Sequence, residues 1–271
     1  YDCDACCPDT SRKFPMNRSV CVIPARMGSS RFPGKPLEKM LGLPMILHIH
    51  DRCRLYDGFE RVVVATCDQV IHDVVRAHGG EAVMTADTHE RCTDRTEEAI
   101  SNLDLDLADG DFVLMVQGDE VLVSPDMLRE MCDIYRRDRP PAVNLVSRMY
   151  RVEDHEDPNT VKVVSAPDGR ALYFSRAPIP SRARAVDVPM FQQTGIIGFS
   201  AAFLRRFSIL EPTPLEIIES VDMMRVIEHG LAIQLVQTDT ETIGVDTPAD
   251  LERGEQILKD DPYTNLYLET A

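Results

Sequence analysis

Residues 26–36 read RMGSSRFPGKP, which gathers three cations (Arg26, Arg31, Lys35), the hydroxyls of Ser29 and Ser30, and the glycines Gly28 and Gly34 into one stretch. That combination is phosphate chemistry: cationic side chains neutralise the anion, and glycines let backbone N–H groups approach its oxygens. Two familiar phosphate loops are excluded. A Walker A loop has four residues between its glycines and Ser or Thr after its Lys, whereas five residues separate Gly28 from Gly34 and Pro36 follows Lys35. The Gly-x-Gly-x-x-Gly dinucleotide pattern is also missing. Two acids could complement the basic loop. Asp119 lies just past an apolar run, where a carboxylate is unfavourable unless it faces a ligand or a cation. Asp246 lies between an apolar segment and the last helical pattern, with a dipole-stabilising acid at a helix start as its alternative reading. Magnesium is typically held by one or two carboxylates plus substrate phosphates, so Asp119 and Asp246 facing the loop suit a nucleoside triphosphate and phosphoryl or nucleotidyl transfer.

The elements that must position these residues follow from the apolar pattern. Residues 20–25 (VCVIPA), 61–66 (RVVVAT) and 112–116 (FVLMV) are short continuous apolar runs of the kind buried on both faces of a parallel sheet. Helical patterns follow each: from Pro44 to about Tyr56, from Asp68 as N-cap to Gly79, and from Pro125 onward. After Tyr150 the pattern changes to strand-like runs at 161–164, 171–175 and 195–199 between Pro-rich loops, read as an antiparallel extension over residues 150–200. A helix is expected over 215–228, a strand over 232–238, and a last helix with Thr247 as N-cap and Pro248 at its first position. The expected organisation is a flexible N-terminal segment (1–18), one α/β domain (19–258) and a C-terminal tail (259–271).

The chain has 271 residues, enough for a full core, and 29 Lys plus Arg against 45 Asp plus Glu leave a net charge of −16. Such an acidic chain argues against nucleic acid as a partner. No apolar run approaches the roughly 18–20 residues that cross a bilayer. Eight cysteines, several inside apolar segments, fit a reducing cytoplasm better than a disulfide scaffold. Cys3, Cys6 and Cys7 show half of a zinc spacing without a second pair and read as a frayed terminus. The seven histidines fall on helix-like and loop positions without matching Glu or Cys, so surface or capping roles are expected rather than zinc. Tyr173 and Phe174 read as core or dimer-contact aromatics, and residues 103–111 as a solvated connection rather than a calcium loop.

Several motifs, in order, resemble the 3-deoxy-manno-octulosonate (Kdo) cytidylyltransferases, or CMP-Kdo synthetases. They are IPARMGSSRFPGKP (23–36), VVAT (63–66), TDR (93–95), VQGDE (116–120), YFSRAPIP (173–180), PLE (214–216) with Glu219 and Arg225, and GVDTP (244–248). The resemblance runs from about residue 19 to 258. It implies a Rossmann-like nucleotide-diphospho-sugar transferase fold, a mixed, mostly parallel sheet flanked by helices, and usually a homodimer. The implied reaction joins CTP to an acidic 3-deoxy-2-ulosonic acid, using Mg²⁺ and releasing pyrophosphate. Carried over by position, Arg26, Lys35 and Asp119 are the catalytic group. Ala25, Arg26, Ser29, Arg31, Lys35, Thr66, Cys92, Thr93, Arg95 and Gln117 meet the nucleotide. Gln117, Arg176, Gln193, Glu216 and Glu219 meet the acceptor, and Asp119 and Asp246 hold the metal.

Departures fall near the base and on the acceptor side. Arg91-Cys92 stands where the family usually has Ser-Gly, and Gln193 and Ile197 stand where it has His and Tyr. Met223 replaces a Gln, and the loop between Pro180 and Gln192 is shorter. The expectation is therefore an intact nucleotide half and an acceptor that differs from ordinary Kdo: a modified ulosonic acid, or another acid such as a phosphonate. A nucleotidyltransferase of other base specificity and a non-enzymatic nucleotide-binding module are the remaining alternatives. The second is opposed by the unfavourable burial of charges gathered without a ligand.

Overall fold

β1 (Ser19–Ala25) is buried along its whole length, and the phosphate-type loop begins where it ends. The protein is described from a computed structural model that covers residues 18–29, 31–185 and 188–268. The other strands are β2 (Lys39–Met40), β3 (Leu43–Pro44), β4 (Arg61–Thr66), β5 (Glu81–Met84), β6 (Phe112–Val116), β7 (Ala142–Met149), β8 (Lys162–Ser165), β9 (Ala171–Ser175), β10 (Met190–Ser200) and β11 (Ile233–Thr238). The helices are α1 (Met45–Arg54), α2 (Gln69–Ala77), α3 (Cys92–Asn102), α4 (Pro125–Asp138), α5 (Val152–Glu156), α6 (Ala201–Phe207), α7 (Pro214–Glu219), α8 (Met223–Glu228), α9 (Pro248–Asp260) and α10 (Thr264–Leu268).

The main sheet runs β11-β7-β10-β6-β1-β4-β5, with β8 pairing to β10 and β9 to β8. β1 is parallel to β4 and β6, β4 to β5, and β7 to β11, while β10 runs antiparallel between β6 and β7. Successive β1 residues face opposite ways, as the two-residue period of a strand requires. Ile23 joins Ile46 of α1 and Leu128 of α4 on one face, and Val22 joins Ala99 of α3 and Phe203 of α6 on the other. This is the mixed α/β sheet with helices on both faces that the sequence implies.

One boundary moves. Residues 195–199, expected in the antiparallel extension, lie in the centre of the sheet because Ile196, Ile197 and Phe199 are buried there. The extension proper is β8 and β9, which pair onto the N-terminal part of β10. The helix expected over 215–228 is two, α7 and α8, broken where Ser220 adopts φ 52. Residues 259–271, read as a tail, include α10, whose buried Tyr267 hydroxyl meets His48 Nδ1 at 2.7 Å.

Capping follows the sequence at α4, where Ser124 Oγ accepts from the Met127 N–H, and at α9, where Thr247 Oγ1 accepts from the Asp250 N–H. It differs at α2. Asp68 holds the N-cap position, but its carboxylate turns away to accept from the Met27 N–H at 2.8 Å. His48, His50 and His155 are buried rather than at the surface, because α1 packs on two sides and His155 Nε2 donates to the Ile179 carbonyl at 2.9 Å. In the connection 103–111, Leu107 and Asp111 are buried, and Asp111 accepts from the Arg18 and Ala108 N–H groups. Cys3, Cys6 and Cys7 lie outside the described residues.

Candidate active site

The loop after β1 is braced by its own backbone. The Gly34 N–H donates to the Met27 carbonyl at 3.0 Å, and Ser29 Oγ accepts from the Phe32 N–H at 3.3 Å. Gly34 sits at φ 80, a left-handed conformation that disfavours a side chain, immediately before a 3₁₀ turn over Lys35–Leu37. Pro36 suits the start of that turn, since its missing N–H would have no partner there. Lys35 is thereby fixed at the mouth of the sheet.

From there the Lys35 ammonium donates to Asp119 Oδ2 at 2.8 Å, Asp246 Oδ1 at 3.1 Å and the Val245 carbonyl at 2.7 Å. Two carboxylates that lie far apart in the sequence therefore converge on one cation. Burial pulls this ammonium's pKa down, but the charges of Asp119 and Asp246 outweigh it and hold the pKa above its ordinary value. Arg31 adds a second cation, donating to Asp246 Oδ2 at 2.7 Å and Asn159 Oδ1 at 3.3 Å. Arg26 reaches the His89 carbonyl at 3.5 Å.

A cavity of about 340 Å³ opens over this loop, lined by Ala25, Arg26, Gly28, Ser29, Arg31, Lys35, Cys92, Arg95, Gln117 and Asp119. Beside it lies a larger polar cavity of about 590 Å³ that shares Arg31, Arg91, Cys92, Gln117 and Asp119 and adds Arg176, Gln193 and Asp246. The sequence reading missed Arg148, Arg151, Asn159 and Arg253 on its wall. Each stands alone in the sequence, and only the meeting of β7, β8 and α9 brings them together. Burial, with the charges of Asp119 and Asp222, pushes the Cys92 thiol up to about 12, which favours its protonated form. Glu120 is buried beside Asp119, and burial together with that neighbouring charge pushes its carboxyl up to about 7.

Five expected site residues, Thr66, Thr93, Arg95, Glu216 and Glu219, spend polar groups on partners inside the protein. Thr66 is buried off both cavities, and its Oγ1 accepts from the Asp68 N–H, one link from the bond that Asp68 makes to Met27. Thr93 is buried and donates to Asp222 Oδ2 at 2.7 Å. Arg95 does line the smaller cavity, but its guanidinium also holds residues 85–89 through Thr85 Oγ1 and the Ala86 and His89 carbonyls. Glu216 lies on the wall of neither cavity. Its carboxylate is spent on the buried Arg225, with Nε at 2.7 Å and Nη2 at 2.6 Å.

Glu219 lies behind Arg176 rather than on the cavity wall. Its carboxylate accepts from the Arg176 N–H at 2.8 Å, Ser175 Oγ at 3.0 Å and the Tyr173 hydroxyl at 3.1 Å, and its carbonyl accepts from Arg176 Nε at 2.6 Å. Glu219→Ala should raise roughly tenfold the KM of the substrate held in the larger cavity, the worth of a misplaced charged hydrogen-bond donor, with the KM of the substrate over the basic loop unchanged. Steady-state kinetics with each substrate varied checks this; a shift in the second KM alone would refute it.

The cytidylyltransferase family model matches residues 20–237. A 3-deoxy-manno-octulosonate cytidylyltransferase of Syntrophobacter fumaroxidans is 44% identical over 90% of this chain and 98% of that protein. An 8-amino-3,8-dideoxy-manno-octulosonate cytidylyltransferase of Shewanella amazonensis is 38% identical over 89% of this chain and 98% of that protein. A solved CMP:2-keto-3-deoxy-manno-octonic acid synthetase complexed with CTP superposes with a TM-score of 0.82 at 35% identity, covering 90% of this chain and 99% of that one. The chain belongs to the cytidylyltransferase family, a nucleotidyltransferase alongside the 3-deoxy-manno-octulosonate cytidylyltransferases.

Proposed function

We propose that the protein transfers CMP from CTP to a 3-deoxy-2-ulosonic acid, Kdo or a modified relative, releasing pyrophosphate. The observation that carries this is the convergence of Lys35, Asp119 and Asp246 at the border between a cation-lined cavity and a larger cavity holding Arg176. An acceptor hydroxyl oxygen forms the new bond to the α-phosphorus, the bond to the bridging oxygen breaks, and pyrophosphate leaves. Both reactants are anions, so positioning and charge neutralisation supply the rate rather than a covalent intermediate. Arg26, Arg31 and Lys35 face the triphosphate, and Arg176 faces the acceptor.

Magnesium fits the donor set. Asp119 and Asp246 offer oxygens within 3.1 Å of one shared nitrogen. Two carboxylates suffice for a magnesium ion whose shell is completed by waters and substrate phosphates. Asp119 and Asp246 would hold it, and when bound it would neutralise charge on the phosphates.

A modified acceptor is favoured by the departures at Gln193 and Ile197, both of which line the acceptor cavity. Residues 19–258 act as one catalytic unit, supported by the nine-stranded main sheet that runs from β1 to β11. A homodimer is supported by Ile217 and Ile218 of α7, exposed at 66% and 73%. A cytoplasmic setting is supported by the free cysteines Cys21, Cys53, Cys67, Cys92 and Cys132, and no helix among the described residues is long and apolar enough to cross a membrane. The test is pyrophosphate release with CTP, Mg²⁺ and a panel of Kdo, its 8-amino analogue and phosphonate acids. CTP-dependent release with an ulosonic acid is expected; no release with any ulosonic acid overturns the reading.

A further inference from the structure

β10 does not pair evenly with β7. Gln193 is opposite Val146 and Ile197 is opposite Asn144, so four steps along β10 match two along β7, and residues 194–196 bulge. The bulge lies against the turn that follows β6 and carries Asp119: the Gln117 N–H donates to the Gly195 carbonyl at 2.9 Å, and the Gly195 N–H donates to Glu120 Oε1. A side chain at residue 195 would meet Gln117 at 2.8 Å, so only glycine fits this approach.

The bulge leaves main-chain carbonyls without a regular strand partner, and one fully buried side chain satisfies them. Asn144 Nδ2 donates to the carbonyls of Leu145 at 3.0 Å, Thr194 at 3.1 Å and Ile196 at 3.1 Å. Three acceptors around the nitrogen fix the orientation of the Asn144 amide, because its oxygen in that place would face carbonyls. Asn144 Oδ1 must therefore point the other way, where it accepts from Gln193 Nε2 at 2.8 Å. The orientation passes on: Gln193 has to present its nitrogen to Asn144, and its Oε1 remains as an acceptor on the wall of the larger cavity.

We propose that Asn144 is a positioning residue that locks the β10 bulge and the Gln193 amide, so that the acceptor cavity presents a carbonyl oxygen to a hydroxyl or ammonium donor of the acceptor. This rests on the reading of the larger cavity as the acceptor site. It makes the Gln193 position selective by polarity: a donor on the acceptor is bound, and an acceptor-only group in the same place is not.

The test compares Asn144→Ala, Gln193→Ala and the double variant in CTP-dependent pyrophosphate release. Gln193→Ala should raise the acceptor KM about tenfold, the worth of one well-formed hydrogen bond, and leave the CTP KM within about twofold. In the Asn144→Ala background the same Gln193 substitution should change nothing further, because the amide it removes is no longer oriented. Additive effects, or a CTP KM that moves with the acceptor KM, overturn the proposal. If Asn144→Ala does not accumulate as folded protein, Asn144→Ser carries the same comparison with one hydroxyl donor kept. Hydrogen exchange of residues 193–197 gives a readout that needs no acceptor. Faster exchange in the Asn144 variant and not in Gln193→Ala supports the lock, and equal exchange in both refutes it. If the wild-type protein turns over no ulosonic acid, the functional reading fails while the exchange comparison still decides the role of Asn144.

Discussion

Lys35→Met is expected to lower kcat/KM for CTP by about 10²–10³-fold, the range for removing one preorganised charge from a transition state. Methionine keeps the length and the apolar stem, so what is lost is the ammonium at 2.8 Å from Asp119 and 3.1 Å from Asp246. The same substitution leaves the two carboxylates facing each other without a cation between them, an arrangement disfavoured in a partly buried site. A second result follows that does not depend on turnover. Added MgCl2 should raise the thermal midpoint of the variant more than that of the wild type, because in the wild type an ammonium already occupies the space between the acids. Lys35→Arg should not restore activity, since a planar fork cannot reproduce a compact ammonium directed at three oxygens. Retained activity in the methionine variant, with a midpoint indifferent to magnesium, would remove Lys35, Asp119 and Asp246 from the chemistry.

The basic loop was legible because its cations stand out in an acidic chain and because the element before it is a continuous apolar run. The partnership of Asp119 with Asp246 was legible from the place of each acid beside an apolar segment and from the order of motifs, although nothing in their own neighbourhoods shows that β6 and the segment before α9 end at one place. Residues that act through direction rather than type were not legible. Thr66 and Thr93 could face a ligand or the interior with equal ease, and both hydroxyls turn to aspartates or their backbone inside the protein. The place of β10 was hidden by the absence of a preceding helix, which made a central strand look like part of an appendage. His48 and His50 read as surface groups because no Glu or Cys stands at ligand spacing beside them, whereas α1 packs between the sheet and α10 and buries both. Asn144 drew no attention within an apolar strand, and its role follows only from the bulge opposite.

The two glutamates of α7 separate activity from stability. Glu216 and Glu219 lie three residues apart on a six-residue helix, close to one face by sequence, yet Glu219 braces Arg176 while Glu216 is buried with Arg225. Glu216→Ala is expected to lower folding stability by about 3–5 kcal/mol, the loss seen when one partner of a buried ion pair is removed. Against a total of about 5–15 kcal/mol for an ordinary domain, that is a large fraction. The remaining guanidinium keeps the Leu210 carbonyl at 3.1 Å and the Phe207 ring at 4.6 Å from its carbon, but neither neutralises its charge. The Thr213 N–H at the start of α7 loses its acceptor as well. Glu216→Gln keeps an acceptor and the side-chain shape, so its loss should be smaller. Urea unfolding measures both, and kinetics on the folded protein should find the acceptor KM unchanged. A raised acceptor KM with an undisturbed unfolding midpoint would return Glu216 to the acceptor site and overturn the structural role assigned to it.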